Sequence, residues 1–207
     1  MTNSDIQSIK QDKINFLLVG VGGQGTILAS NILSELGMKL GFDVKKAEVH
    51  GMSQRGGSVI SHVRWGAKVF SPIIEKGTGD VMVAFEKMEA IRYIDILKPG
   101  GIVLVNDHSI MPITVSSGYS TYPEENILRT NLEKTTSNVH WVDGSHIAED
   151  VGNIKTANVV ILGALSGLLD MEIEPWLEVI EARVPPKFID INRQAFIAGR
   201  KKMAVVE

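Results

Sequence analysis

The stretch INFLLVGVGGQG, residues 14–25, constrains the fold of this chain more than any other feature. Its first half is an apolar run with the length and β-branched content of a buried strand. Gly20, Gly22, Gly23 and Gly25 then remove side chains where the chain must turn, and apolar residues at helical spacing follow. A strand, a glycine-rich turn and a helix in this order predict the opening of a βα unit. The amides at the start of such a helix can hold an anion.

Short apolar runs alternate with segments of helical spacing along the rest of the chain. This alternation predicts an α/β fold, a three-layer α/β/α arrangement around a mostly parallel, Rossmann-like sheet. We expect the strand that starts at Ser58 to turn at residues 66–68 into an antiparallel hairpin with residues 69–70. Beyond Ala148 the predicted elements are mainly helical, which adds a helical C-terminal part to the fold.

One of these later helices has an unusual composition. Residues 157–169 are apolar nearly all round and include Gly163 and Gly167, four residues apart. Outside a membrane, such a helix is packed on several sides. We therefore expect this helix to lie between the sheet and a partner.

Length and charge limit what kind of protein this is. With 207 residues, 44% of them hydrophobic, the chain is expected to form a single domain over residues 1–207, with a polar N-terminal tail at 1–13. A formal net charge of −3 gives no electrostatic reason to bind nucleic acid or an anionic membrane surface. No run of about 18 apolar residues predicts a membrane span. The polar N-terminal residues lack the apolar stretch of a signal peptide, so a cytoplasmic location is expected.

The chain contains no cysteine, and its five histidines are scattered without a metal-binding spacing. The absence of cysteine excludes disulfides, thiol nucleophiles and cysteine-ligated iron–sulfur clusters within this chain. If the process served by this protein moves electrons through such a cluster, another polypeptide must hold it. No metal site is predicted here.

The glycine-rich turn allows three interpretations. Gly20, Gly22 and Gly25 fit the pattern G-x-G-x-x-G in the required strand–helix context, and Glu48 follows at roughly the distance of a ribose-binding acid. That pattern indicates a nicotinamide or flavin dinucleotide site. A polar loop directly after Glu48 argues against it, because a plain dinucleotide fold needs no such loop. Binding of another anion, or a tight turn with no ligand, remains open.

That second loop, HGMSQRGGS at residues 50–58, concentrates groups that bind ligands. The residues that can contact a ligand are His50, Ser53, Gln54, Arg55, Gly56, Gly57 and Ser58. The Arg55 guanidinium can clamp a phosphate or carboxylate with two donors, and the paired glycines let the backbone approach a ligand. A solvated surface turn is the alternative. No catalytic set is predicted, because Ser53 and His50 lack an evident orienting acid.

A third polar group follows a predicted strand. The tripeptide Asn106-Asp107-His108 comes directly after the apolar run 102–105. At the ligand-bearing edge of an α/β sheet these side chains can line a cleft. They can equally cap the turn that follows.

Taken together, three segments resemble a known family. GVGGQGTILASNIL, AEVHGMSQRGGSVISHVRWG and SPIIEKGTGDVMVAFEKMEAIRYIDILKPGGIVLVN are similar to the gamma-type domain of 2-oxoacid:ferredoxin oxidoreductases. Within that family the similarity is greatest to the small (beta) subunits of the indolepyruvate type. The resemblance runs from about Ile14 to Asn106 and continues more loosely through the helical end.

The resemblance implies a subunit of a thiamine-diphosphate enzyme that is not active alone. Such an enzyme decarboxylates an aryl-pyruvate, transfers the acyl group to coenzyme A and passes electrons through [4Fe–4S] clusters to ferredoxin. In this family the thiamine diphosphate, Mg²⁺ and clusters belong to the large subunit, so this chain alone is expected to hold no cofactor. The resemblance also implies a cleft shared with that subunit, lined by Gly22, Gly23, Gln24 and Gly25 and by residues 50–57.

Two other functions remain as alternatives. The first is a free-standing oxidoreductase that binds NAD(P) through the glycine-rich turn and Glu48. The second is an interaction subunit that binds no ligand. Individual roles of the loop residues are not assigned by the resemblance.

Overall fold

The computed structural model describes residues 13–50 and 56–203, with the backbone only at His50. Six strands form one sheet in the spatial order β2-β3-β1-β4-β5-β6. Their bounds are Ile14–Val21 (β1), Asp43–His50 (β2), Ser58–Gly66 (β3), Gly79–Ala84 (β4), Leu97–Asn106 (β5) and Val139–Val142 (β6). The polar N-terminal tail predicted at 1–13 lies outside the described residues except for its last residue.

Helices connect β1 to β2, β4 to β5 and β5 to β6, and four more follow β6. Their bounds are Thr26–Lys39 (α1), Lys87–Arg92 (α2), Ile113–Ser116 (α3), Glu125–Glu133 (α4), Gly144–Val151 (α5), Ala157–Leu168 (α6), Glu174–Arg183 (α7) and Ile189–Met203 (α8). Short 3₁₀ turns precede β5, α6 and α8. None of the helices among the described residues is long and apolar enough to cross a membrane.

Five strands of the sheet run in one direction and β3 runs against them. β3 lies between β2 and β1 and pairs antiparallel with both, while β1, β4, β5 and β6 pair in parallel. The predicted three-layer, mostly parallel fold is therefore confirmed.

The expected hairpin between the strand from Ser58 and residues 69–70 is wrong. β3 ends at Gly66, and both of its hydrogen-bonding edges are already taken by β1 and β2. Val69 instead donates its N–H to the carboxylate of Asp43 at 2.8 Å, at the start of the edge strand. The antiparallel part of the fold is thus made by β2, β3 and β1.

The sheet separates two hydrophobic cores of different size. Phe16 and Leu18 of β1 face a large core shared with α1 and α5–α8, which contains the buried Trp176 and Phe196. Leu17 and Val19 face a smaller core shared with α2 and α4. This alternation along β1 follows from the period-2 geometry of a strand buried on both faces.

Helices α6 and α8 cross in direct backbone contact. A Cβ added at Gly163 would collide with the carbonyl group of Phe196, and one at Gly199 would collide with that of Val160. The prediction that residues 157–169 are packed on several sides is confirmed. One of the neighbours that covers this helix is α8 of the same chain.

Candidate functional site

The chain changes sides of the sheet between β1 and β4. From β1 it continues through α1 on the face of the large core, and from β4 through α2 on the opposite face. The two strands are neighbours and their carboxyl ends reach the same rim. In open α/β sheets a crevice opens at such a switch point, and ligands bind there.

The glycine-rich turn after β1 is tied to β4 by one side chain. The amide oxygen Oε1 of Gln24 accepts from the N–H of Val21 at 2.8 Å, and its Nε2 donates to the carbonyl of Phe85 at 2.7 Å. The amide of Gln24 is therefore used to join the ends of two strands. This bonding leaves the backbone of Gly23 facing the crevice.

Gly25 brings the N-terminus of α1 against that of α6. It caps α1 with a φ of 78°, and its carbonyl accepts from the Nδ2 of Asn158 at 3.4 Å. A Cβ at Gly25 would collide with that amide. The first turns of both helices, with N–H groups that have no intrahelical acceptor, therefore meet at the rim.

The second predicted loop reaches the first. The N–H of Gly22 donates to the carbonyl of Gly57 at 2.8 Å, and Gly56 has a φ of 73°. Residues 51–55, with Ser53, Gln54 and Arg55, lie outside the described residues, as does the side chain of His50. The structure thus brings Gly22 and Gly57 together.

A cleft of about 140 Å³ opens beside the glycine-rich turn. Gly23, Gln24 and Phe85 form part of its lining. Its other polar side chains come from β5, the segment after it, α5 and the start of α6: Asn106, His108, Ser145, Lys155 and Asn158. Side chains from the carboxyl ends of several strands therefore converge on the switch point.

The three residues of Asn106-Asp107-His108, which begin at the last residue of β5, have different contacts. Asn106 is 3% exposed; its Oδ1 accepts from the N–H of Gly144 at 2.9 Å and its Nδ2 donates to the carbonyl of Phe85 at 3.2 Å. Asn106 therefore supports the start of α5, 38 residues further along the chain, and does not cap the turn that directly follows it. His108 lines the cleft. Asp107 pairs with Lys87 and Arg129.

The buried carboxylate of Glu86 holds the segment that carries His108. Glu86 is 1% exposed and accepts from the N–H of Ile110 at 3.2 Å and from the hydroxyl of Tyr122 at 2.6 Å. Burial, together with this bond to Glu86, raises the pKa of Tyr122 well above its usual range, which keeps the phenol a donor. Both ends of the segment 107–124 are thereby fixed to the start of α2.

Lys87 adds an ion pair at the base of the same segment. Burial opposes the charge of its ammonium group, but hydrogen bonds to Asp107 and Glu125 outweigh burial and raise the pKa of Lys87. Its charge is therefore used within the protein and is not free for a ligand.

Sequence reasoning missed Ser145, Lys155 and Asn158. They lie more than a hundred residues beyond the glycine-rich turn and belong to no motif. The weak signal for them is positional, because polar residues just before the predicted apolar helix at 157–169 start near the rim. The packing of α6 against Gly25 brings Asn158, and Lys155 just before it, to the cleft, and the bond from Gly144 to Asn106 holds the start of α5 with Ser145 there.

Glu48 does not occupy the position of a ribose-binding acid. That role requires β2 to lie beside β1, whereas here β3 separates them: Leu18 pairs with Ser61, and Ser61 pairs with Glu48. Two strand spacings put the two backbones roughly 10 Å apart. The carboxylate of Glu48 accepts from Ser30 at 3.2 Å and from Lys46 at 2.6 Å.

The chain does not offer ligands for the redox groups that the resemblance implies. It contains no cysteine for an iron–sulfur cluster. Within residues 13–50 and 56–203, no three His, Asp or Glu side chains are grouped to hold a metal ion. A cysteine-ligated iron–sulfur cluster therefore does not fit this chain.

Comparison with known proteins gives a consistent result. The family model for pyruvate ferredoxin/flavodoxin oxidoreductase matches residues 15–202. The indolepyruvate oxidoreductase subunit IorB of Pyrococcus horikoshii is 43% identical over 190 residues, which cover 90% of this chain and 94% of that subunit.

Two solved structures share the fold. The gamma subunit of the keto/oxoacid ferredoxin oxidoreductase from Geobacter sulfurreducens has 26% identity and a TM-score of 0.66, over 92% of this chain and 98% of that one. The 2-oxoglutarate:ferredoxin oxidoreductase from Magnetococcus marinus, with 2-oxoglutarate, coenzyme A and succinyl-CoA bound, has 21% identity and a TM-score of 0.71. The match covers 93% of this chain and 31% of that longer polypeptide.

Proposed function

Because this chain belongs to the pyruvate ferredoxin/flavodoxin oxidoreductase family, we propose that it is the small subunit of an indolepyruvate:ferredoxin oxidoreductase. The resemblance predicted from residues 14–106 is confirmed by that membership. The complete enzyme would decarboxylate indolepyruvate or another aryl-pyruvate oxidatively, with coenzyme A as acyl acceptor and ferredoxin as electron acceptor. We place this enzyme in the cytoplasm.

One observation carries the proposal: the match to the indolepyruvate oxidoreductase subunit extends over nearly the full length of both chains. An alignment of this extent includes both glycine-bearing loops and the helical C-terminal part. The proposal therefore does not depend on one short motif. It assigns the substrate class through the relative and the subunit role through the family.

We assign thiamine diphosphate, Mg²⁺ and the [4Fe–4S] clusters to a larger partner subunit. The absence of cysteine supports this division, since thiolates are the usual ligands of such clusters. Ferredoxin would then accept electrons from that subunit. This chain would hold no cofactor by itself.

The rim that carries the two loops is the proposed wall of a cleft shared with the partner. We place Gly22, Gly23, Gln24 and Gly25, together with residues 50–57, on this wall. The bond from Gly22 to Gly57 supports the placement, because it makes the two loops one continuous surface. Ile27, Val49 and Ile154 lie at the same end of the molecule, and each is 41–52% exposed. Apolar side chains left in water beside a cleft are typical of a protein contact.

Co-expression with the larger subunit tests the proposal. We expect the purified complex to reduce ferredoxin with indolepyruvate and coenzyme A, and neither subunit to do so alone. Ferredoxin reduction by the isolated 207-residue chain would overturn the subunit role. A complex that is inactive with every 2-oxo acid offered would overturn the assigned reaction.

Replacing Arg55 tests the second loop. We expect Arg55→Ala to lower the activity of the complex, because a guanidinium in this loop can contact an anionic substrate group. Arg193→Ala is the matched control, since Arg193 is half-exposed on α8 and its ion pair among the described residues is a 3.6 Å contact with Glu181. Unchanged kinetic constants for both coenzyme A and the 2-oxo acid would remove Arg55 from the proposed site.

A nicotinamide titration separates the proposal from the free-standing dehydrogenase. The position of Glu48, two strands from β1, argues against a dinucleotide site. We therefore expect no saturable change in NADH fluorescence with the isolated chain. Micromolar binding would favour the dehydrogenase, and a complex indifferent to changes in both loops would favour a subunit that binds no ligand.

A further inference from the structure

We propose that residues 111–121, called the arm below, form a docking surface for the larger subunit of the proposed enzyme. The arm presents Met111, Ile113 and Tyr119 to solvent, and these side chains would be its apolar contacts. The inference rests on the proposed function and deepens it, because it locates part of the contact between the subunits outside the two glycine-bearing loops. No residue of the arm belongs to a motif of the sequence.

The arm is folded on itself and is largely uncovered by the rest of the described chain. Its short helix α3 ends in a turn, in which the N–H of Ser117 donates to the carbonyl of Ile113 at 2.8 Å and that of Tyr119 to Thr114 at 2.8 Å. Within the arm only Pro112 and Val115 are not fully exposed. Its apolar side chains therefore face water and not a core.

The composition of the arm is that of the centre of a protein interface. Met111 is 51% exposed, Ile113 78% and Tyr119 88%, a higher density of exposed apolar side chains than elsewhere among the described residues. Residues 109–123 include no Asp, Glu, Lys or Arg, although these types make up 22% of the chain. Interface centres are depleted in charge and enriched in Tyr and Met. We therefore expect the facing surface of the larger subunit to be apolar and uncharged, since a charge there would be buried without a counter-ion.

Both ends of the arm are anchored to the body of the protein. The buried carboxylate of Glu86 accepts from the N–H of Ile110 on one side and from the hydroxyl of Tyr122 on the other. The N–H of Lys87 also donates to the carbonyl of His108 at 3.2 Å. Because these bonds fix the ends of the arm beforehand, docking does not have to order them, which lowers the entropic cost of association.

The position of the arm indicates which partner covers it. The arm begins shortly after His108, which lines the crevice at the rim together with Ile154. Ile154 is half-exposed and is already part of the proposed wall shared with the larger subunit. The apolar surface of that wall thus continues onto the arm. A partner seated on the rim would reach both.

The area of the arm argues against a second copy of this chain as its partner. Three exposed side chains offer roughly 300–500 Å² of surface, whereas a stable interface buries about 800 Å² on each partner. Two copies in contact through their arms alone would fall short of that area. The larger subunit would cover the arm and the rim together, which supplies the missing surface.

The affinity between the purified larger subunit and the full-length chain tests the docking surface. We expect Ile113→Asp and Tyr119→Asp each to weaken association at least about tenfold, because the new carboxylate would be buried without a partner. Phe70→Asp is the matched control: Phe70 is also 88% exposed, but it follows the end of β3, at the opposite end of the sheet from the rim. All three side chains are exposed, so we expect the thermal midpoints of the variants to stay near that of the wild type.

Activity at increasing concentrations of the larger subunit distinguishes docking from a damaged site. We expect Tyr119→Asp to lower ferredoxin reduction when the larger subunit is scarce and to regain the wild-type kcat when it is saturating. The KM values for coenzyme A and the 2-oxo acid should then equal those of the wild type. A defect that saturation does not restore would place Tyr119 in the active site and overturn a docking role.

Equal affinities of the Ile113→Asp, Tyr119→Asp and Phe70→Asp variants for the larger subunit would overturn the docking surface, and an active complex would leave the proposed function standing. If association depends on Tyr119 while the complex is inactive with every 2-oxo acid, the docking surface stands and the proposed function fails. Sedimentation of the isolated chain checks the other partner. A wild-type dimer that Tyr119→Asp converts to a monomer would assign the arm to a second copy and overturn the larger subunit as its partner.

Discussion

Two regions of this molecule are built on glycine for opposite physical reasons. In the turn between β1 and α1, Gly23 and Gly25 adopt φ values of 107° and 78°, which L-residues with side chains rarely adopt. At the crossing of α6 and α8, Gly163 and Gly199 have ordinary helical backbones, and their value is the absence of a Cβ. The turn needs conformational freedom and the crossing needs space. The same substitution should therefore damage the site in one region and the whole fold in the other.

The largest effect is expected at the helix crossing. In Gly163→Ala the new methyl group would meet the carbonyl of Phe196, a backbone atom that no rotamer change can move. We expect a loss of at least about 3 kcal/mol in the free energy of unfolding, measured by urea denaturation. Gly167→Ala is the graded control, because its nearest atom lies 3.0 Å from the added Cβ. Equal midpoints for Gly163→Ala and the wild type would contradict the close crossing.

Gly25→Ala should reduce the stability of the fold less than Gly163→Ala does, and should reduce the function of the site more. The left-handed φ penalises alanine by roughly 1–2 kcal/mol, and the displaced Asn158 amide adds to it. We expect a loss of about 2–3 kcal/mol in total, and lower activity of the complex because the turn lies on the wall of the proposed shared cleft. Urea denaturation of the chain and steady-state kinetics of the complex test both expectations. A variant that lost stability but left the kinetic constants of the complex unchanged would remove the turn from the proposed cleft.

Gln24→Glu tests the turn without changing its backbone. The glutamate can still accept from the N–H of Val21, but it can no longer donate to the carbonyl of Phe85. We expect a loss of about 1–2 kcal/mol, because an acceptor then faces an acceptor in a part-buried position. The measurement is again the urea midpoint, with Gln194→Glu on the exposed side of α8 as control. A midpoint shift no larger than that of the control would show that Gln24 does not join the two strands.

The smallest effect is expected from Gly23→Ala. Its φ of 107° is unfavourable for alanine, but no atom lies within 4 Å of the added Cβ. We expect a loss of about 1 kcal/mol from strain alone. Comparison of this midpoint with that of Gly25→Ala isolates the contribution of the contact with Asn158. If both variants lost the same stability, that contact would contribute nothing.

The fold followed from local patterns, and its one wrong detail came from a non-local pairing. The run 14–19 and the glycines after it predicted β1 and the start of α1, because strand burial and turn conformation are properties of neighbouring residues. The pairing partner of β3 was not predictable in this way. Turn residues after Gly66 indicated a hairpin, whereas the register is set by β1 and β2, which precede β3 in the chain.

The parts of the candidate site that belong to a sequence motif were predictable. The parts that only tertiary contacts bring to the cleft were not. The spacing of its glycines predicted the glycine-rich turn, and Gly22 contacts Gly57 of the second loop. Lys155 and Ser145 have no such signal, since an isolated lysine or serine before a helix is common. The position of Lys155 follows from the contact between Asn158 and Gly25, 133 residues apart in the chain, and that of Ser145 from the bond between Gly144 and Asn106.

The reversed strand β3 bears on how a growing polypeptide acquires this sheet. Among the described residues β1 pairs with β3 and β4, and β2 pairs with β3, so neither β1 nor β2 has a neighbouring strand of this sheet until residues 58–66 are made. At ordinary rates of translation the apolar strand β1 waits about 2–9 s for its first partner. During that interval its open edges are the part of the nascent chain most prone to pair with another molecule.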